Sequence, residues 1–333
     1  MLLLVTVVFV SLAFLGCGDE NGTSPEGQSS YELKLIGYME IVADVPALET
    51  SSGLLLGGLG MHLVSLQVPS DPIAQTVGPQ GQGTRYWDLC ASAAGYIYAH
   101  WHYMTSGGLA IIQADAPFDD IAAEPDLSLS GGMDPAIVRP GGTMYSLTIF
   151  GELSRIDLSN PLSPSVEATC PAINTGRMRC FGDTLYLCSW SSGIYTQDMD
   201  EMELDPTFYV DTPDEAVDIV CWQEHAYIAD RQEGVQVISR TQPPALVGNI
   251  PATHDSTEYV VVIEGMLYVS DGSLLQVFDI SRPEAPALVA QRVLNGPCYR
   301  AMQHGEYVLA FSRIAYSPAS TLGFYVLKLE EAD

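Results

Sequence analysis

Basic residues are scarce in this sequence. Lysine occurs only at Lys34 and Lys328, and 13 lysines and arginines stand against 41 aspartates and glutamates, for a formal charge of −28. Recognition of DNA or RNA needs clustered Lys and Arg that neutralise phosphate groups. The composition therefore excludes a nucleic-acid-binding protein. We expect a chain that repels its own copies and is monomeric.

The sequence also lacks the short motifs that mark common catalytic sites. It contains no GxSxG, HExxH, P-loop or GxGxxG string, and no CxxC pair or Cys/His spacing of a zinc site. No cofactor and no metal are therefore predicted. A non-enzymatic role is favoured, and the question of an enzyme stays open.

Long segments with a helical period are absent too, which predicts an all-β fold. Strand-like runs recur around a common tyrosine, at steps of 47, 41, 41 and 41 residues. The tyrosines are Tyr98, Tyr145, Tyr186, Tyr227 and Tyr268. Val308 continues the series 40 residues further on, and Leu55 precedes it by 43. Seven units of about 41 residues, each with room for four strands, predict a seven-bladed β-propeller.

A proline-rich corner repeats between the third and fourth strands of these units. "RIDLSNPLSP" and "VFDISRPEAP" lie 122 residues apart, which is three units. The side chains of Asp157 and Asp279 are expected to accept hydrogen bonds from nearby backbone N–H groups in these corners. The last unit stops after its third strand, and "LKLIGY" (Leu33–Tyr38) resembles a fourth strand. The N-terminal segment is therefore predicted to complete the last blade and close the ring, which places Lys34 and Lys328 on neighbouring strands.

Three segments resemble a known repeat. "LQVFDISRPEAPALV", "VQVISRTQPPALVG" and "LSRIDLSNPLSPSV" are similar to the LVIVD repeat of bacterial secreted and surface proteins, which is predicted to form β-propellers. The similarity extends over about residues 31–330. It implies an extracytoplasmic propeller and assigns no reaction.

The N-terminus carries an apolar run, Leu2–Leu15, which is shorter than the ~20 residues of a membrane-spanning helix. Gly16 directly before Cys17 resembles the lipobox of bacterial lipoproteins. This resemblance implies that residues 1–16 are a signal peptide and that Cys17 is lipidated. Residues 17–30 then form a flexible tether, and residues 31–333 the propeller. An ordinary signal peptide or an uncleaved anchor fits the same run.

The sequence therefore predicts a protein of the bacterial cell envelope, lipid-anchored and extracytoplasmic, on the periplasmic side or the cell surface. Exported chains can form disulfides. Cys180 and Cys188 flank one tight turn on adjacent strands and could form a disulfide; the alternative, which we favour, is that both are small buried apolar residues.

Ligands of propellers commonly meet the face built by the loops between the second and third strands and the loops between units. One such segment, several residues longer than its counterparts "CSWSSG" and "ADRQEG", holds His100, Trp101 and His102. If its strand continues, the two histidines lie on one face and could share a metal. Aromatic and arginine side chains dominate binding hot spots. The same face is predicted to carry Trp190, Arg231, His254, Arg313 and Tyr316.

Three functions fit these observations. The first is an envelope-anchored binding or scaffolding module for a protein or glycan partner. The second is a metal-assisted hydrolase or lyase that uses His100 and His102. The third is a structural envelope component without a discrete site. The absence of a nucleophile, base or metal motif favours the first.

Overall fold

The computed structural model describes most of the chain from Tyr31 to Ala332. The described residues are 31–42, 47–50, 53–56, 61–77, 85–91, 95–103, 106–113, 121–123, 137–139, 142–147, 152–171, 175–201, 205–241, 243–315 and 321–332. The predicted signal peptide and tether, with Cys17, lie outside them. Within the described ranges the chain forms strands and turns and no helix, which confirms the all-β prediction. No helix that could span a membrane is found in these ranges.

The strands of the described residues assemble into seven four-stranded antiparallel sheets. In six sheets the strands follow chain order. These are β2 (Ala47–Thr50), β3 (Gly53–Leu56), β4 (Met61–Ser65) and β5 (Ile73–Val77); β6 (Arg85–Ala91), β7 (Tyr96–Tyr103), β8 (Ser106–Gln113) and β9 (Ile121–Ala123); β10 (Ile137–Arg139), β11 (Thr143–Leu147), β12 (Glu152–Asp157) and β13 (Ser165–Pro171); β14 (Arg177–Phe181), β15 (Thr184–Cys188), β16 (Ile194–Asp198) and β17 (Thr207–Val210); β18 (Asp218–Trp222), β19 (His225–Ala229), β20 (Val235–Ser239) and β21 (Ala245–Ile250); and β22 (Thr257–Ile263), β23 (Met266–Asp271), β24 (Leu274–Asp279) and β25 (Ala287–Val293).

The seventh sheet joins the two ends of the chain. Its order is β26 (Cys298–His304), β27 (Tyr307–Ala315), β28 (Thr321–Glu331) and β1 (Tyr31–Val42). The predicted pairing of the N-terminal segment is therefore present, and Lys34 lies directly opposite Lys328. Like charges at opposite positions repel. Glu330 offsets this repulsion, because its carboxylate lies 3.4 Å from Lys34 Nζ and 3.1 Å from Lys328 Nζ.

Each sheet is named below after its first strand, and the seventh is the β26 sheet. The five repeat tyrosines, with Leu55 and Val308, all lie in the second strand of their sheets. The predicted corner bonds are also present. The backbone N–H of Ser159 donates to Asp157 Oδ1, and that of Ser281 donates to Asp279 Oδ1, both at 2.8 Å. The repeat register read from the sequence is therefore correct.

The first strand of a sheet lies next to the first strand of its neighbour. β14 packs against β18, β18 against β22, and β22 against β26. The fourth strands lie at the periphery, where Phe208, Leu246 and Val293 are more than half exposed. Apolar clusters fill the space between sheets; in one, Tyr145 and Leu153 of the β10 sheet pack with Met178 of the β14 sheet. The first strands of these four sheets therefore lie side by side, and the candidate site lies among them.

The structure does not form the disulfide considered between Cys180 and Cys188. Both thiols are free. In the antiparallel pair, Cys180 lies opposite Leu185 and Cys188 lies opposite Arg177, so the two cysteines are offset along the ladder. An offset of three residues at ~3.3 Å per residue exceeds the ~7 Å that a disulfide can span between Cα atoms.

Candidate functional site

A polar cluster forms at one repeat position of four consecutive sheets. The residues at this position are spaced 41 apart, and each lies near the start of a first strand. They are Arg177, Asp218, Tyr259 and Arg300. Their partners on the second strands keep the same spacing and are Cys188, Ala229, Ser270 and Phe311. With Arg179, which lies on the same face of β14 as Arg177, they make up what we call the inner-strand cluster.

Asp218 is the centre of this cluster. It is fully buried, and its carboxylate accepts hydrogen bonds from Arg177 Nη1 at 3.0 Å and Arg179 Nη2 at 3.2 Å. It also accepts from the backbone N–H of Ile219 at 2.9 Å and of Val260 at 3.3 Å. A buried carboxylate is tolerated when charged partners and hydrogen bonds replace its water. Asp218 therefore ties together β14, β18 and β22.

Tyr259 extends the network to the next sheet. The guanidinium carbons of Arg177 and Arg179 lie 5.7 and 6.0 Å from the centre of its ring, within the range of a cation–π contact. Its hydroxyl donates to the carbonyl of Ala301 at 2.9 Å. Burial raises the pKa of the Tyr259 hydroxyl, although the charges of Arg179 and Arg300 act to lower it. The tyrosine is therefore a neutral donor that joins β22 to β26.

Arg177 reaches past the neighbouring sheet. Its Nη1 also donates to the carbonyl of Glu258 at 3.2 Å, although β14 packs against β18, and β18 in turn against β22. The side chains of Arg177 and Arg179 keep 26% and 27% of their surface exposed. Each of the two side chains is thus partly open to solvent. An arginine presents five N–H donors in a planar fork that suits carboxylates and phosphates.

Trp190 and Arg231 meet at the end of the molecule where β14 and β18 begin. They occupy equivalent positions after the second strands, with φ values of 50° and 41°. The guanidinium of Arg231 lies 5.1 Å from the Trp190 ring centre, and its Nε lies 2.9 Å from Glu215 Oε2. The Trp190 ring also packs on Gly176, where an added Cβ would lie 2.6 Å from it. Gly176 directly precedes Arg177, so this stacked pair adjoins the inner-strand cluster.

Arg313 lies on β27 and His254 in the loop that precedes β22, both at the same end of the molecule. The guanidinium of Arg313 stacks over Tyr299 at 4.8 Å. His254 is exposed, and its backbone N–H donates to Asp271 Oδ2 at 2.8 Å. Burial raises the pKa of Asp271, but hydrogen bonds from Asp255, Thr253 and His254 outweigh it and hold the pKa below its ordinary value. Asp271 thus fixes the loop that presents His254.

The histidine segment is described only in its backbone. β7 continues through His100, Trp101 and His102 to Tyr103, so the two histidines lie two residues apart on one continuous strand. Asp88 of β6 lies opposite His100. The side chains of these residues, and all of Tyr316, lie outside the described part. Among the described side chains, no group of three His, Cys, Asp or Glu residues is placed to hold a metal ion.

The sequence prediction missed the inner-strand cluster. The repeat was identified from the second-strand tyrosines, and the candidate ligand-binding residues were predicted in the long loops. The missed signal was the 41-residue spacing of Arg177, Asp218, Tyr259 and Arg300, which holds four polar or aromatic residues in one repeat position. Trp190 and Arg231 were predicted on one face, and the structure brings them into direct contact.

Comparison with known proteins agrees with this architecture. The family model of the LVIVD repeat matches residues 256–292. The WD40 beta propeller domain of Doa1 superposes with a TM-score of 0.65 at 10% identity, covering 89% of this chain and 97% of that chain. The RRP9 WD40 repeats give 0.63 at 9%, covering 89% and 100%. The computationally designed Ika8 protein gives 0.59 at 8%, covering 90% and 97%. No curated protein matches the chain.

The chain is thus a β-propeller that carries an LVIVD repeat. At these low identities the similarity to the solved structures concerns the fold alone. The inner-strand cluster and the Trp190–Arg231 pair have to be interpreted from their own chemistry.

Proposed function

We propose that this protein is a non-enzymatic binding or scaffolding module of the bacterial cell envelope. It holds a protein or glycan partner at the face formed by the inner-strand cluster and the Trp190–Arg231 pair. The β-propeller fold commonly serves as a protein-interaction scaffold. The observation that carries the proposal is that Arg177, Arg179 and Arg231 lie together at one end of the molecule. The whole chain has only 13 basic residues.

The chemistry of this face favours a partner that carries carboxylates. Stacked arginine and tryptophan supply rigid contact area, and the guanidinium forks supply directed donors. The rest of the chain is strongly acidic, so an acidic partner is repelled elsewhere and directed to this face. Partner choice then depends on Arg231 and Trp190 more than on total contact area.

Crosslinking in a bacterial host tests this role. Envelopes that contain the full-length chain would be crosslinked and solubilised, and the co-purifying protein or glycan identified by mass spectrometry. We expect one partner at near-stoichiometric yield, lost in Arg231→Ala and in Trp190→Ala. The matched control is Arg282→Ala, which removes an arginine that is 73% exposed in a peripheral corner. Equal recovery with Arg231→Ala and Arg282→Ala would overturn the proposed face.

Lipidation of Cys17 is part of the same proposal. Its support is the apolar run that ends at Gly16 before Cys17, and the polar segment that follows. Labelled palmitate should enter the wild-type chain and a Cys180→Ser control, but not a Cys17→Ser variant. Label retained in Cys17→Ser would overturn the anchor.

We further propose that the seven sheets are seven blades of one closed ring. In support, Leu54 of the β2 sheet shares an apolar cluster with Leu309 and Phe311 of the β26 sheet. Contacts across such a seam make substitutions non-additive. Leu54→Ala and Leu309→Ala should show a coupling of at least ~0.5 kcal/mol in a double-mutant cycle of urea unfolding. Leu54→Ala with Leu267→Ala, which lies in a different cluster, should be additive. Equal additivity in both cycles would count against a closed seam.

One observation favours the second function, a metal-assisted hydrolase or lyase. The strand register sets Asp88 opposite His100, with His102 two residues further along β7. Histidine and carboxylate ligands suit Zn²⁺. Titration calorimetry with Zn²⁺ would compare the wild-type chain with His100→Ala/His102→Ala and with His254→Ala. Zn²⁺ binding to the wild type and to His254→Ala, but not to His100→Ala/His102→Ala, would support a metal site. No Zn²⁺ binding to the wild type or to His254→Ala would reject it.

A further inference from the structure

A small cavity opens between the β22 and β26 sheets, at the end of the molecule opposite the Trp190–Arg231 pair. It has a volume of about 190 Å³. Its walls come from the turns that link β22 to β23 and β26 to β27, and from the start of β1. Ligand pockets for drug-sized molecules begin at about 300 Å³. The cavity therefore suits a group the size of one side chain.

The lining of this cavity combines aromatic rings with carboxylates. Tyr31, Tyr268 and Tyr307 contribute rings and Met266 a thioether, while Glu264 and Glu306 stand in the two turns. Tyr268 is buried and lines the cavity, and burial together with the charge of Glu264 raises the pKa of its hydroxyl. Aromatic faces and carboxylates together attract an organic cation. The net charge of −28 adds to that attraction.

Neighbouring side chains hold the two carboxylates that line the cavity. Glu264 has φ 51°, in the left-handed region that glycine prefers. The Gln303 amide donates to Glu264 Oε1 at 2.8 Å and so links the two turns. Glu306 is held by Lys328, whose Nζ lies 2.9 Å from it. Lys328 therefore offsets the charge of Glu306, and Glu264 supplies the carboxylate for a ligand.

We propose that this cavity binds an alkylammonium group, with its carbon substituents against the tyrosine rings and its charge beside Glu264. Two sources share this chemistry: a free quaternary ammonium compound and the lysine side chain of another protein. The site is separate from the face of the proposed function, so either can fail without the other.

Calorimetry with two probes tests the site and separates the sources. Choline represents the free ammonium compound, and N-acetyl-lysine amide represents the lysine side chain. We expect saturable binding of at least one of them to the full-length protein, and the tighter probe identifies the source. The neutral isostere 3,3-dimethyl-1-butanol should bind at least fivefold more weakly than choline if choline is the tighter probe. No saturable binding of either cation, or equal binding of the isostere, would overturn the proposal.

The matched variants are Glu264→Gly and Gln223→Gly. Gln223 also has φ 51° in the corresponding turn of the β18 sheet, so both substitutions relieve the same backbone strain and neither threatens folding. Glu264→Gly alone removes the carboxylate at the cavity. We expect two- to fivefold weaker binding in Glu264→Gly, the size of an exposed charge pair. Wild-type affinity is expected in Gln223→Gly. Equal affinities in the two variants would contradict the role of Glu264.

Discussion

Substitution of Asp218 by asparagine removes the charge at the centre of the inner-strand cluster and keeps the side-chain shape. In the wild type, two guanidinium groups and two backbone N–H groups point at a carboxylate that is fully buried. An asparagine can accept through one oxygen only, and its NH₂ group then faces donors. Arg177 and Arg179 lose their shared counter-charge at positions that are about three-quarters buried.

The expected cost follows from these contacts. Breaking a buried ion pair by removing one partner costs about 3–5 kcal/mol. Water can still reach both arginines, so the lower end applies, and we expect a loss of about 3 kcal/mol. Unfolding entropy near 2.1 cal/mol/K per residue, over roughly 300 residues, converts this into a fall in Tm of about 5 °C. Circular dichroism melting and urea titration would measure the two quantities.

The matched control is Asp183→Asn. Asp183 pairs with Arg139, but its side chain is 69% exposed, and exposed pairs contribute at most ~1 kcal/mol. A double variant, Asp218→Asn with Arg179→Met, should lose less stability than the sum of the two single variants, because Arg179 is one of the groups left unpaired. Equal melting temperatures for Asp218→Asn and Asp183→Asn would refute the reasoning that the buried network organises the centre.

Three further predictions concern loops, thiols and the stacked pair. Because its hydrogen bonds lower the pKa of Asp271 from the ordinary value of 3.8, its contribution to stability is complete above that value and is lost as pH falls through the lower folded pKa. Urea unfolding between pH 7 and pH 2 should show this loss, and Asp271→Asn should lack it. Iodoacetamide at pH 8 should label exposed Cys180 in the folded protein but not Cys298, because burial raises the pKa of the Cys298 thiol to about 12. Gly176→Ala should displace the Trp190 ring, cost about 1–3 kcal/mol and shift tryptophan emission, because the new methyl group would lie 2.6 Å from that ring.

Each of these has a result that would contradict it. A pH profile of Asp271→Asn identical to the wild type would show that the loop bonds do not depend on the charge. Labelling of Cys298 before Cys180 would mean that the interior opens faster than the surface thiol reacts. Unchanged emission in Gly176→Ala would mean that Trp190 does not rest on the glycine backbone.

The repeat was readable because each unit has to rebuild the same local structure. Tyr227 and Tyr268 fill equivalent core positions, and Asp157 and Asp279 make the same bond in equivalent corners. Such features depend on neighbours within one unit, so they leave a period in the sequence. The pairing of Lys34 with Lys328 could be predicted for a related reason, since a unit without its fourth strand needs one from elsewhere.

The candidate disulfide is excluded by a detail that the period does not encode. Cys180 and Cys188 flank one turn, which brings their strands together, but the register of the pair sets them three residues apart along the ladder. A turn motif specifies which strands pair. The side-chain partner depends on the loop length and register that fold together with it.

The sequence alone determined the strand period, the all-β class and the joining of the chain ends, because these follow from local patterns repeated every 41 residues or so. It also displayed Arg177, Asp218, Tyr259 and Arg300 at equal spacing, but as four separate residues. Only the tertiary structure made them one network, because packing the first strands of consecutive sheets side by side turns equal spacing along the chain into contact in space. The chemistry of this centre therefore depends on residues that are distant in sequence and share only their place in the repeat.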